Sequence, residues 1–237
     1  MRHLIIYLAM VALATLASCE QDNYDKGEGN YSRLTADFVE AHTNDDTMFD
    51  YVITDNGDSL RLTIPVETSW AKKPDSLYRA MLYYNKVEGN KAEVVAIGQM
   101  STLGFIPADS VKEMKTDPVG FESAWTSKSK RYINLALTLR VGTVTDQSIK
   151  HKLFLIADSL VTKTAADNAT TLHLTLYHDK GDIPEYFTQK YYFSIPTSGL
   201  KAFNPDSMSI HINTSGNGRR IITMPLEIGR ASCRERV

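Results

Sequence analysis

Cysteine is almost absent: of 237 residues only Cys19 and Cys233 carry a thiol. That excludes a disulfide framework and any zinc site built from several thiolates. Long apolar runs are missing as well. The one sustained run, Leu4 to Leu16, is shorter than the roughly 20 apolar residues that a transmembrane helix needs. No charge of one sign prevails. Twenty-six Lys and Arg stand against 28 Asp and Glu, so no basic field exists to attract nucleic acid. Helical periodicity is lacking too, and the best candidate, Ser110 to Lys115, amounts to about one turn.

What is present begins at the amino terminus. Met1, Arg2 and His3 precede the apolar run, and Ala17 and Ser18 lead into Cys19. A basic start, an apolar middle and small residues before a cut make a secretory signal over residues 1–18. Leu16-Ala17-Ser18-Cys19 resembles a bacterial lipobox. The resemblance implies lipid on the Cys19 thiol, cleavage before it and acylation of the new amino terminus. Several acyl chains anchor stably where one does not. Residues 19–32 are polar, acidic and contain glycine, which predicts a flexible tether. Acidic residues just after the cysteine resemble the export signal of surface lipoproteins, and a plain solvated tether gives the same composition. The expected location is the outer membrane, with surface display and the periplasmic face both open.

Beyond the tether, apolar residues alternate at period two. Leu60, Leu62, Ile64 and Val66 share a face, as do Ile133, Leu135, Leu137, Leu139 and Val141. The same holds for Leu172, Leu174 and Leu176, and for Phe187, Tyr191, Phe193 and Ile195. Such strands bury one face and wet the other. Asp55-Asn56-Gly57-Asp58, Glu88-Gly89-Asn90, Lys180-Gly181-Asp182 and Ser215-Gly216-Asn217-Gly218 supply the turns. The fold class is all-β: a small OB-like β-barrel at 33–115, then an antiparallel β-sandwich at 116–226. The boundary is expected inside the polar stretch 112–130, which contains Pro118 and Gly120. Residues 227–237 hold three arginines and Cys233 without alternation. They read as translated adaptor sequence or as a natural basic tail, and carry no functional weight.

In their order, "CEQDNYDKGEGNY", "DFVEAHT", "YVITDNGDSLRL", "YRAMLYYNKV", "YINLALTLR", "TLHLTLYHDKGDIPEYFTQKYYFSIP" and "DSMSIHINTSGNG" resemble the NigD-like lipoproteins. The resemblance spans about residues 19–224. It implies a lipidated cysteine, an OB-type barrel and a β-sandwich, with no catalytic residues to carry over. The family's name comes from a bacteriocin gene cluster, which implies an accessory or immunity role as an alternative. The chain departs from the pattern at "IITMPLEIG", which stops where a last strand should finish.

Candidate chemistry is sparse. His173 and His178 lie five apart, and no histidine pair has zinc-helix spacing, so neither a metal nor a cofactor is expected. His173, Thr175 and Tyr177 are expected on the solvent face of a strand. Asp45-Asp46 and Asp55-Asn56-Gly57-Asp58 read as turns, without an EF-hand register. No Gly-x-Ser-x-Gly and no phosphate loop occurs, so no enzyme is expected. Arg79 and Tyr83 share one face of "LYRAMLYYNKV", and Trp70 lies beside Lys72 and Lys73. These three offer a ligand face for an envelope glycan, and packing of the aromatics in the core and its rim is the favoured alternative. Asp followed by Ser or Thr and an aliphatic residue recurs six times, offering Thr47, Ser59, Ser76, Ser110, Ser159 and Ser207. It resembles an O-glycosylation sequon, and turns leading into strands produce the same tripeptide. The expected partners are the membrane, through Cys19, and an envelope protein or glycan.

Overall fold

The computed structural model describes residues 34–144, 150–162, 169–201 and 203–226, with the backbone alone at 160–162. Cys19, the tether and residues 227–237 lie outside the described residues. The protein is all-β, with a closed barrel followed by a two-sheet sandwich.

Five strands make the barrel: β1 (Leu34–Thr43), β2 (Phe49–Thr54), β3 (Ser59–Val66), β4 (Leu77–Val87) and β5 (Lys91–Gln99). Their order around it is β1-β2-β3-β5-β4. Closure depends on a short parallel pairing, Arg61 with Lys91 and Leu62 with Ala92. The β4–β5 hairpin turns on Gly89 and Asn90, both at positive φ. Val39, Phe49, Val52, Leu60, Ala80, Leu82 and Tyr84 fill the interior. Alternation along β3 stops short of expectation. Leu60 and Leu62 are buried, whereas Ile64 is 74% exposed. The register explains this: Tyr51 faces Arg61 but Phe49 faces Val66, so β3 bulges away from β2 between them.

The sandwich begins earlier than the expected boundary. β6 (Ser101–Thr102) and β7 (Phe105–Pro107) already belong to its two sheets. Strands of two and three residues are too short to show alternation, which hides them in the sequence. The remaining strands are β8 (Gly120–Thr126), β9 (Tyr132–Val141), β10 (Lys152–Thr162), β11 (Thr170–Asp179), β12 (Phe187–Pro196), β13 (Ser207–Thr214) and β14 (Gly218–Pro225). One sheet runs β14-β13-β11-β10-β7 and the other β6-β12-β9-β8. The hairpin pairs are antiparallel, as expected. Three pairings are parallel: β7 with β10, β11 with β13, and β6 with β12. The expected turn of helix at 110–115 is replaced by a 3₁₀ turn at Ala108–Ser110.

Ile133, Leu135, Leu137, Leu155, Leu172, Leu174, Ile195 and Ile210 meet between the sheets, each with 1% exposure or less. Full burial of each such side chain contributes about 1.5–3 kcal/mol. The barrel packs on the outer face of the β6-β12-β9-β8 sheet. Asn134 and Ser194 on that face bond Arg79 of β4, and the Tyr132 hydroxyl donates to Glu40 of β1.

Candidate functional site

Strands β10, β11, β13 and β14 present a polar face on the side away from the core. Leu172, Leu174 and Leu176 point inward along β11, so Thr171, His173 and Thr175 point outward. On β13 the inward residues are Met208, Ile210 and Ile212, which sends Ser207, Ser209, His211 and Asn213 outward. Parallel pairing sets Thr175 beside His211 and Thr171 beside Ser207. Side-chain hydrogen bonds then run from strand to strand. Thr171 and Ser207 share a hydroxyl contact at 2.8 Å, as do Ser209 and Thr223.

Toward one end this face opens into a groove of about 630 Å³, lined by Met114, Thr116, Asp158, Ser159, His173, Thr175, His211 and Arg219 among others. The Arg219 guanidinium lies 3.0 Å from His211 Nδ1, and His211 Nε2 lies 3.2 Å from His173 Nδ1. A guanidinium can only donate. His211 Nδ1 therefore accepts, its proton sits on Nε2, and Nε2–H donates to His173 Nδ1. This leaves His173 with its own proton on Nε2. Burial, then Arg219 and His173, holds the His211 pKa below the ordinary histidine value, which favours its neutral form. Opposite it, the Thr175 hydroxyl donates to Asp158 on β10. The groove thus offers a cation, fixed N–H donors and one carboxylate.

A second imidazole pair lies at the end of β11. His178 is 2% exposed, and its Nδ1 donates to the Asp117 carbonyl at 2.9 Å. His151 Nδ1 is 2.9 Å from His178 Nε2. Burial lowers both pKa values, and His178 adds to the effect on His151. Among the described residues no group of three His, Cys, Asp or Glu side chains is gathered as a metal site.

The three residues of the expected ligand face are not brought together. Trp70 packs against Phe49 and Tyr78 at centroid distances of 5.1 and 5.8 Å, on the barrel core. Tyr83 is exposed on the outside of β4. Arg79 is 6% exposed and forms a two-pronged ion pair with Asp55 at 2.7 and 2.8 Å. Its guanidinium also lies 3.9 Å from the Tyr132 ring centroid. It serves the seam between barrel and sandwich, because the outward face of β4 meets the second domain at Arg79 and reaches solvent only farther along, at Tyr83.

The six candidate hydroxyls are scattered. Ser59 opens β3, Ser76 precedes β4, Ser207 opens β13 and Ser110 closes the 3₁₀ turn. Thr47 sits in a turn at φ 62°. Ser159 alone lies within a strand, at the β10 bulge. Turn and strand-entry geometry accounts for five of these tripeptides. The histidine rows were not visible in the sequence. The contact of His173 with His211 arises from a pairing across 38 residues, and its only signal is that both occupy outward positions of alternating strands.

A model of the NigD-like C-terminal β-sandwich domain matches residues 104–226. The chain belongs to the NigD-like family. Its sandwich, from β7 onward, is the NigD-like domain. A NigD-like immunity protein from Bacteroides caccae superposes with a TM-score of 0.61 at 23% identity, covering 81% of this chain and 92% of that one. A presumptive lipoprotein from Bacteroides fragilis gives 0.58 at 18% identity, covering 83% and 99%. A protein of unknown function from Bacteroides vulgatus gives 0.61 at 13% identity, covering 83% and 92%. These likenesses establish the shared fold. No curated protein matches the chain.

Proposed function

We propose that this NigD-like protein is anchored to the cell envelope by lipid on Cys19 and works by binding, without chemistry of its own. The observation that carries the binding role is the Arg219–His211–His173 row beside Asp158 in the groove of the outer sheet. Its polar atoms are already oriented by one another, so a ligand meets them without reordering side chains. The matching partner is an envelope protein or glycan that brings acceptors to Arg219 and His173 and a donor to Asp158. The lipobox supports the anchor, as does the fold shared with a presumptive lipoprotein.

A photoreactive residue placed at Ser159 in intact cells tests the binding role. A discrete adduct that disappears with Arg219→Ala is the expected result, and no adduct overturns the reading. Labelling with a palmitate analogue tests the anchor. Cys19→Ser is expected to lose the label and leave the membrane fraction; a label that persists overturns it. Protease shaving of the same cells distinguishes the outer surface from the periplasmic face.

A second reading is protection against, or accessory service to, a bacteriocin. It is favoured by the likeness to the protein named as a NigD-like immunity protein. Deleting the gene should then raise sensitivity to the cognate toxin, and unchanged sensitivity removes this reading.

A further inference from the structure

A second cleft, remote in sequence from the groove residues of β10–β14, opens where the barrel meets the sandwich. It measures about 460 Å³ and is lined by Asp37, Phe38, Asp55, Asn56, Trp125 and Lys128, with Ala36 and the 126–127 backbone segment beside them. The volume falls within the range typical of small-ligand sites. Its aromatic wall comes from two separate strands. Phe38 of β1 and Trp125 of β8 stack at 5.7 Å with 22° between their planes. Tyr192 of β12, 36% exposed, packs against these rings at 5.4 Å from Phe38 and 6.4 Å from Trp125.

The rest of the lining is polar and held by hydrogen bonds. Asp55 is clamped by both prongs of Arg79 and by the Asn134 amide at 2.8 Å. Asp37 accepts from the Tyr84 hydroxyl through one oxygen, at 2.9 Å. Asn56 and Lys128 are exposed at the rim.

We propose that this cleft is a carbohydrate-binding site, in which a sugar ring lies against the Trp125–Phe38 wall while its hydroxyls meet Asp37, Asn56 and Lys128. A pyranose has an apolar C–H face, which suits the electron-rich face of an aromatic ring. It also carries hydroxyls that both donate and accept, which suits a rim of carboxylate, amide and ammonium. A purely apolar ligand would strip water from Asp37 and Asp55 without replacing its hydrogen bonds. A polynucleotide would bring phosphates against the same two carboxylates. The proposal goes beyond the groove on the outer sheet and uses none of its residues.

The chain has two tryptophans, so Trp70→Phe leaves Trp125 as the single fluorescent reporter. This protein is titrated with hexasaccharides of glucose, mannose, galactose and N-acetylglucosamine. The expected result is a saturable shift of Trp125 emission with at least one of them. Adding Asn56→Ala and Lys128→Ala, both on the exposed rim, should weaken that sugar by about tenfold or more. Arg219→Ala should leave it unchanged. The proposal is overturned if no hexasaccharide moves the emission up to about 10 mM, where even millimolar affinity would register. It is equally overturned if the double substitution has no effect, or if Arg219→Ala abolishes the binding and so places the sugar in the groove. Calorimetry on the unsubstituted protein checks that the reporter substitution has not altered the outcome. A failed titration beside an intact cross-link from Ser159 removes this site alone.

Discussion

At the scale of single residues, the strongest electrostatic statement concerns His178. It is 2% exposed, donates to the Asp117 carbonyl and accepts from His151. Burial lowers its pKa, so the folded protein holds it neutral while the unfolded chain protonates it near the usual value of about 6.5. The native state then binds fewer protons, and its stability is lost as pH falls from about 6.5 toward the depressed folded value. His178→Gln keeps bulk and polarity but cannot titrate. It should be less stable than the parent at pH 7 by about 1–2 kcal/mol, the cost of imperfectly remade hydrogen bonds. The gap should narrow between about pH 6.5 and 5, because only the parent has this proton-linked loss. Urea unfolding at several pH values reads it, and a gap that stays constant would show that folding does not lower the His178 pKa. His42 behaves oppositely. Burial lowers its pKa, but bonds to Asp50 at 3.2 Å and Asp75 at 2.9 Å outweigh that and raise it. Its contribution is present in acid and fades as pH rises through that raised value.

At the scale of strands, alternation made much of the structure legible. Leu135, Leu137 and Leu139 on β9, and Leu172, Leu174 and Leu176 on β11, are buried as their spacing implies. Alternation failed where neighbours rather than period decide a residue's fate. Ile64 obeys the pattern yet is exposed, because β3 has left its partner by then. The strands that open the sandwich went unseen because two residues, Ser101 and Thr102, and three, Phe105 to Pro107, make no pattern. Close approach between elements is equally silent in sequence, and Gly142 shows it. Just past β9 it passes so near the 184–186 segment that an added Cβ would lie 2.7 Å from the Pro184 carbonyl oxygen and 2.9 Å from Tyr186. Tyr186 N–H also donates to the Val141 carbonyl, which holds the two segments together. Gly142→Ala should therefore cost about 1–3 kcal/mol, since backbone on both sides must move. Gly120→Ala should cost less, because the atom in its way is the Thr138 side-chain hydroxyl, which can rotate. Equal losses in thermal unfolding would show that the Gly142 contact is not held by backbone.

At the scale of the molecule, two hydrophobic cores share one polar seam. The barrel core and the sandwich core are separate clusters. Between them Arg79 binds Asp55, Ser194 and Asn134, and Glu40 accepts from Tyr132 and pairs with Arg131. The sequence revealed both cores but assigned Arg79 to a ligand face, since an outward position on β4 reads the same whether water or another domain lies beyond it. Placement at the seam makes Arg79 the residue through which each domain depends on the other. Arg79→Ala would leave the Asp55 carboxylate with the Asn134 amide but without its cation, and would remove the guanidinium bond to the Asn134 carbonyl oxygen. The expected loss is roughly 3 kcal/mol, the low end for removing one member of a buried pair because Asp55 keeps some contact with water. The loss should also change the form of unfolding. The parent should melt in one step, with Trp70 on the barrel core and Trp125 at the seam reporting the same midpoint. In Arg79→Ala the two reporters should separate, read one at a time in Trp70→Phe and Trp125→Phe backgrounds. Coincident midpoints in the variant would mean that the Phe38–Trp125–Tyr192 contacts and the Glu40 pair suffice to couple the domains. The cleft between them would then keep its shape without Arg79.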